Sequence, residues 1–490
     1  MHPISRLPGH RRRQAFRVPL RVAAVTGGAL LLSACMTLSP DGGMAPVAQF
    51  ADEQLGKDVV AVRSDADADR TQRAVRERLK RPLGADAAVQ VALLNNRGLQ
   101  AAFNELGIAE AVALASSLPP NPGFSVERLS GPVEIEIEKR IVANILALAT
   151  LPVRAEVARD RFSQAKLRAI EETLRLAADT RRSFHRVVAL RETAAFLAQA
   201  NEAAKTATQL ARRLGETGAL NKLDQAREQV FYAEVATKLA RARQAEASER
   251  ERLTRLMGLW GGDAGFRLPA ALPRLPKRPK VLPAVEVEAV RRRVDLQVAR
   301  IDVEALAKTK GLTQATRFIN LLEVSGIGKT VKEKATGERV RDRGFEIEFQ
   351  IPIFDLGEAR VREAVETYMK AVNRLTEKAV NARSEARDAY RVYRSSYDIA
   401  AHYEREVLPL RKIISDETLL RYNAMQIDVF ALLAEARQRV AATVAAIDAR
   451  RDFWLAAVNL NVAVVGGGVA SGAATTTAMA PAAGGGDAGH

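Results

Sequence analysis

The segment "GFEIEFQIPIFDLGEARVREA", Gly344 to Ala364, changes its period in mid-course. Ile347, Phe349, Ile351 and Ile353 alternate with Glu346, Glu348, Gln350 and Pro352, the period of two expected of a strand with one apolar and one wetted face. Asp355-Leu356-Gly357 signals a turn. Beyond it no glycine occurs before Gly466, and Pro409 is the one proline, so the strand is predicted to feed a very long helix. Val365, Tyr368, Val372, Leu375, Ala379, Ala382, Ala386, Ala389 and Tyr393 follow three and four apart, the seam of a coiled coil.

An earlier stretch has the same grammar. In "VEIEIEKRI", Val133, Ile135 and Ile137 alternate with Glu134, Glu136 and Glu138, and a short Ser130-Gly131-Pro132 link joins it to "FSVERLSG". From Val153 to Leu214 there is neither glycine nor proline. Such a helix would span roughly 90 Å at 1.5 Å per residue. Its seam is rougher (Leu167, Ile170, Leu174, Ala177, Phe184, Val188, Ala195), with Arg181 and Arg191 interrupting it.

These are two copies of one unit. "GLQAAFNELGIAEA" at Gly98 resembles "DLQVARIDVEALA" at Asp295, and "FINLLEVSG" precedes the second strand pair. "GIGKTVKEKATGERVRDRG" is expected to be a long basic hairpin, with "SGIGKT" at its tip. The segments "RRLGETGALNKLDQAREQV" and "RYNAMQIDVFALLAEARQRV" each interrupt a helix, and they superpose with Gly215 on Met425, Leu223 on Leu433 and Ala226-Arg227 on Ala436-Arg437. Each half reads helix, strand, strand, long helix, turn, long helix. The predicted organisation is a signal peptide (1–34), an N-terminal periplasmic extension (35–82), a first repeat (83–265), a linker (266–283), a second repeat (284–463) and a disordered Gly/Ala-rich tail (464–490).

Composition agrees with long helices: aromatics are 5% of 490 residues, and Ala, Arg, Glu and Leu dominate. The net charge of +16 includes six arginines in residues 1–34, and elsewhere bases and acids interleave along helices. That is the pattern of solvated helical faces, and no nucleic-acid motif accompanies it. Outside the N-terminus no apolar run approaches the length of a membrane-spanning helix. The N-terminus itself has a basic region and a short apolar stretch, Val22 to Leu32, as in a secretory signal. Its end, Leu32-Ser33-Ala34-Cys35, resembles a bacterial lipobox, which makes Cys35, the single cysteine, the expected lipid anchor. Met36 in the next position favours the outer membrane by the rule for enteric lipoproteins.

The fold class expected is mainly α with a small β part: long coiled-coil hairpins plus four strands per chain. Four strands cannot close a membrane barrel, which needs at least eight. An open edge in lipid would cost several kcal/mol per unsatisfied group, so several chains would have to close the sheet together. Ile347, Phe349, Ile351, Ile353, Val133, Ile135 and Ile137 would then face lipid, and Glu346, Glu348, Glu134 and Glu136 a watery lumen.

The chain resembles the TolC family of outer-membrane efflux ducts. The resemblance lies in the two-fold repeat, "VALLNNRGLQAAF", "PPNP" before a strand, "IPIFDLGEARV" before a helix, and the paired tips, and it covers most of residues 83–461. It implies a homotrimer with a twelve-stranded barrel in the outer membrane and a periplasmic helical tunnel. It also implies docking to a periplasmic adaptor and an inner-membrane pump, a lipid anchor in keeping with Cys35, and no cofactor or metal. The tips, Leu214 to Leu223 and Tyr422 to Leu433, would form the adaptor surface through Gly215, Thr217, Gly218, Leu220, Tyr422, Asn423, Met425 and Val429. Two departures stand out. Family tips usually read Tyr-x-x-Gly, where this chain has Arg212 and Gly215, then Tyr422 and Met425. Some members carry a tunnel-closing aspartate where Lys222 and Leu432 stand here, with Asp224 and Asp428 out of register, so no gate is carried over.

Catalytic chemistry is not legible in the sequence. His185 and His402 are isolated on predicted helices, and no zinc-helix motif, phosphate loop or nucleophile elbow occurs. The competing reading is a periplasmic coiled-coil lipoprotein with a structural or adaptor role and no pore. Such a protein would not need two matched alternating strand segments.

Overall fold

The computed structural model describes residues 38–350 and 353–466. Cys35, the signal segment, Ile351 and most of the Gly/Ala-rich tail lie outside them. Helices α1 (Ala45–Leu55) and α2 (Asp65–Leu79) come first. The first half continues with α3 (Ala85–Asn95), α4 (Arg97–Ser117), β1 (Gly123–Ser130), β2 (Glu134–Asn144), α5 (Ile145–Glu216) and α6 (Lys222–Leu256). The second repeats the order: α7 (Val285–Arg292), α8 (Val294–Ala315), β3 (Leu322–Glu333), β4 (Arg339–Phe349), α9 (Glu358–His402), α10 (Leu408–Asn423) and α11 (Val429–Val465).

Helix α5 has 72 residues, about 108 Å at the standard rise. Asn144 starts it by accepting the Ala147 N–H at 2.7 Å. Pro152 is the eighth residue of the helix, past the first turn, so it removes the N–H that would bond the Leu148 carbonyl, and the rod continues through it. In the second half the long rod is α9 plus α10, joined through a π-helical turn, Tyr403–Val407, placed just before Pro409. The predicted seam holds: Ala382, Ala386 and Tyr393 are buried and Val365, Tyr368, Val372, Leu375, Ala379 and Ala389 half-buried. In the first half Ile170, Leu174, Ala177, Phe184 and Val188 are buried, but Ala195 is exposed. The two arginines interrupting that seam are used: Arg181 pairs with Asp86 at 2.8 Å and Arg191 donates to the Leu268 carbonyl at 3.0 Å.

The core sits midway along the rods. Phe103, Ile170, Leu174, Tyr393, Tyr397 and Phe453 meet in one cluster, and Phe184, Val188, Leu253, Met257 and Phe266 in its neighbour. Segment 266–283, expected as a linker, is a strap packed onto this equator. Phe266, Leu268 and Leu272 are buried. Tyr397 donates to the Pro276 and Lys277 carbonyls, and the Tyr393 hydroxyl accepts the Lys280 N–H at 3.0 Å. The asparagines of "LLNNR" close the first half: Asn95 donates to the Met257 and Gly258 carbonyls and Asn96 to that of Leu256. In the second half Arg293, buried between α7 and α8, pairs with Asp295 at 2.9 Å and with Glu385 of α9 at 2.5 Å.

Strands and tips occupy opposite ends of the rods. The four strands form one antiparallel sheet in the order β1-β2-β3-β4, leaving β1 and β4 as open edges.

Candidate functional site

Strand pairing fixes which side chains share a face of the sheet. Glu346 lies opposite Ser325, which lies opposite Val142, and Ile347 lies opposite Val324, which lies opposite Ala143. Following this register, Glu134, Glu136, Glu138, Glu346 and Glu348 project to one side, and Ile135, Ile137, Ile347 and Phe349 to the other. The predicted lumen and lipid sets within the strands therefore segregate as expected. Val133 lies just before β2 and Ile353 beyond β4, and both are exposed.

The acidic face is strongly biased. Glu127, Glu323, Glu333 and Asp342 join the five glutamates above, against only Arg140 and Lys329. Arg140 bridges Glu138 at 3.1 Å and Glu346 at 3.0 Å, Lys329 pairs with Glu136, and Ser325 donates to Glu346 at 3.2 Å. The opposite face has no carboxylate among its strand residues. Its helix-proximal half carries Phe124, Ile141, Leu322, Val324, Phe345, Ile347 and Phe349, with Phe345 80% exposed.

One expectation is corrected here. Residues 326–344 are not a long loop: Gly326 to Glu333 belong to β3 and Arg339 to Gly344 to β4, leaving a turn of only Lys334 to Glu338. "SGIGKT" is thus mid-strand, and Ser325 to Thr330 pair with both neighbours. Glycine and lysine lowered the strand signal of the segment, but two flanking ladders supply partners for its backbone groups, and pairing outweighs propensity.

At the other end each hairpin reverses through a short turn. In the first, Gly218 adopts φ 75°, its N–H donates to the Gly215 carbonyl at 3.1 Å, and Asn221 caps α6 by accepting the Asp224 N–H. In the second, Met425 adopts φ 57°, its N–H donates to the Tyr422 carbonyl at 3.0 Å, and Asp428 caps α11 by accepting the Ala431 N–H. The turns therefore superpose Gly215 on Tyr422, Gly218 on Met425 and Asn221 on Asp428. The register read from sequence, Gly215 on Met425, is out by three residues. A shift of nearly one helical turn keeps apolar faces aligned, so hydrophobicity alone could not detect it. Each tip keeps one half of the Tyr-x-x-Gly pattern.

Leu220 is buried and lines the cleft between the two hairpins, so it does not stand on the exposed outside of the tip. Thr217, Gly218 and Asn423 are exposed, Met425 is 93% exposed, and Gly215, Tyr422 and Val429 are half-buried. An apolar cleft of about 410 Å³ separates the two hairpins, between Ala207, Leu210, Leu214, Tyr422, Phe430 and Leu433. Across its floor Arg437 of α11 pairs with the buried Glu228 of α6 at 2.9 Å, a link that sequence reading missed. Burial pushes the Glu228 carboxyl above the usual range, and Arg437 opposes that shift.

Among the described residues no helix is long and apolar enough to cross a membrane, and no group of His, Cys, Asp and Glu could hold a metal ion. His185 is packed: it stacks on Trp454 at 5.4 Å and meets Phe184 edge-on. His402 is exposed beside Glu406, 3.0 Å away.

Solved structures match this arrangement closely. VceC, an outer membrane protein of Vibrio cholerae, superposes with a TM-score of 0.66 at 14% identity, covering 78% of this chain and 96% of that one. The outer-membrane channel OprN gives 0.65 at 19%, covering 83% and 96%. The Neisseria gonorrhoeae MtrE outer membrane channel, in its open state, gives 0.64 at 16%, covering 78% and 88%. The chain has the fold of outer-membrane channels. Comparison of the sequence with protein-family profiles and with curated proteins returns no match. In this channel fold the two-faced sheet stands at one end of the rods and the paired turns at the other.

Proposed function

We propose that the protein is the outer-membrane duct of a tripartite efflux system. Three copies join β1 to β4 edges into a twelve-stranded barrel, and their α5/α6 and α9–α11 hairpins form a periplasmic tunnel. Solutes delivered by an inner-membrane pump through a periplasmic adaptor pass out passively. One observation carries this reading: a four-stranded sheet with one acidic and one apolar face, bare on both and open at both edges, set on rods about 100 Å long. A non-pore coiled-coil protein would have no use for it. The likeness to outer-membrane channels supports the reading at the level of fold. Acylation at Cys35, docking through Thr217, Gly218, Asn423 and Met425, and the boundaries at 83–265 and 284–463 belong to the same proposal. The protein does no chemistry on what it carries.

The test is electrical. A carboxylate-lined pore repels anions. Purified protein in planar bilayers under a salt gradient should give a reversal potential of cation selectivity, reduced by Glu346→Gln and Glu348→Gln. Absence of any conductance from a trimeric preparation would sink the proposal.

A further inference from the structure

The strand formation that replaced the expected basic loop has a consequence for the outer face of the sheet. Arg339, Arg341 and Arg343 alternate along β4 and project to the carboxylate-free side, as do Lys332 of β3, Lys139 of β2 and Arg128 of β1. They fall in three successive cross-strand rows nearest the hairpin turns: Arg343 with Lys139, Arg341 with Arg128, Arg339 with Lys332. Among the described residues none of these six side chains has an ion-pair or hydrogen-bond partner, and all but the half-buried Lys332 are exposed. Arg339 lies directly opposite Lys332, and Lys332/Arg341 and Arg128/Lys139 are diagonal neighbours, so the patch repels itself and would be stabilised by counter-charge from outside the chain. Val126, Ile135 and Ile137 lie in the same rows, which makes the patch amphipathic. Below it, toward the helices, the same face is apolar from Phe345 through Phe349 and the exposed Ile353 and Phe354.

A cationic belt directly above an apolar belt, on the side of a barrel that faces lipid, matches the headgroup level of an anionic leaflet. We propose that Arg128, Lys139, Lys332, Arg339, Arg341 and Arg343 bind phosphate groups on the headgroups of lipids in the outer, hairpin-side leaflet, with Val126, Ile135 and Ile137 against the upper acyl chains. The inference rests on the reading of this sheet as barrel wall.

The experiment titrates the full-length protein in neutral detergent with bis-phosphorylated lipid A, monophosphorylated lipid A, phosphatidylcholine or sodium phosphate. Bound lipid is counted by native mass spectrometry, and conductance is recorded in parallel. Bis-phosphorylated lipid A should bind most tightly, with no retention of phosphatidylcholine. The triple variant Arg339→Gln/Arg341→Gln/Arg343→Gln should bind it roughly a hundredfold more weakly, at about fivefold per cation. Arg339→Lys/Arg341→Lys/Arg343→Lys should stay near wild type. Equal binding by wild type and the Gln variant, equal retention of phosphatidylcholine, equal loss in the Lys variant, or saturation by sodium phosphate at the same concentrations would each overturn the proposal. A conducting protein indifferent to lipid A rejects this inference and keeps the channel. A non-conducting protein that binds lipid A in the expected order keeps the cationic surface and rejects the channel.

Discussion

Phe453 and Phe345 sit on the same molecule in opposite conditions. Phe453 is 1% exposed, with Tyr393, Tyr397 and Trp454 around its ring, whereas Phe345 is 80% exposed on a sheet with no layer over either face. The equator is completed within one chain, by α5, α8, α9, α11 and the strap of 266–283. The sheet has two open edges and two bare faces, and in the proposed barrel it would be one third of the wall, with lipid on one side and other copies at its edges. Stability of the equator should therefore be a property of the folded chain, and stability of the sheet a property of the assembly in its membrane.

Phe453→Ala is the largest expected perturbation. It removes an aromatic ring from a closed cluster and should cost about 3–5 kcal/mol. Thermal or denaturant unfolding in detergent should show the loss at every protein concentration. A loss that vanished on dilution would place Phe453 at an interface and break the contrast.

Next comes Ile347→Arg, about 2–4 kcal/mol if the residue lies near the bilayer midplane, and less near the interface. The cost should show only in lipid, as failure of the proposed trimer to resist dissociation. Its neighbour Glu348→Arg projects to the acidic face and should be tolerated while shifting ion selectivity. Equal tolerance at both positions would remove the two-faced wall and the channel with it.

Much of this was legible because period carries the physics. Glu346/Ile347 and Glu136/Ile137 alternate, and the faces followed from that alone. The seam from Val365 to Tyr393 was legible for the same reason. Residues 326–344 were misread because Gly326, Gly328 and Gly337 look like turn punctuation, and only Gly337, at φ 73°, occupies the turn. The cationic belt followed from that error, since arginines in a loop have no face. The strap was hidden because its hold comes from hydroxyls of Tyr390, Tyr393 and Tyr397 more than a hundred residues away. The tip register was lost because a three-residue slip leaves a helix's apolar stripe nearly in place.

The equator should also announce itself through pH. Burial, and secondarily Arg181, lower His185 to about 4, with Asp86 opposing. The folded state favours neutral imidazole, so this contribution is complete above the ordinary value of 6.5 and is lost as pH falls from there toward 4. The loss amounts to at most roughly 3 kcal/mol at 1.36 kcal/mol per unit. Burial also raises the carboxyls of Glu228 and the half-buried Glu171 and Asp448, so the measurement is a difference. Unfolding of wild type against His185→Phe, compared at pH 7 and pH 4.5, should show the variant losing less. Equal losses would mean that burial does not hold the imidazole neutral.

The smallest effect tests the two tips against each other. Gly218 and Met425 occupy the same place in their turns, both left-handed, at φ 75° and 57°. Glycine adopts that region freely, whereas a side chain costs about 1 kcal/mol or more. A Cβ at Gly218 would meet nothing within 4 Å, so Gly218→Ala isolates the backbone term and should weaken the first turn by about 1 kcal/mol. Met425→Gly should do the reverse, relieving strain but loosening the unfolded chain, for a net gain below about 1 kcal/mol. Both changes are local and should show as hydrogen exchange at Arg212 to Asp224 or Arg421 to Ala431, with global unfolding unmoved. The 93% exposed methionine has no packing reason to hold a strained position. If it is kept for contact with an adaptor, Met425→Gly should steady the turn and still reduce export in cells, while Gly218→Ala loosens its turn with less effect on export. Unchanged export in Met425→Gly would leave the second tip a plain helical turn and move the docking surface to the first.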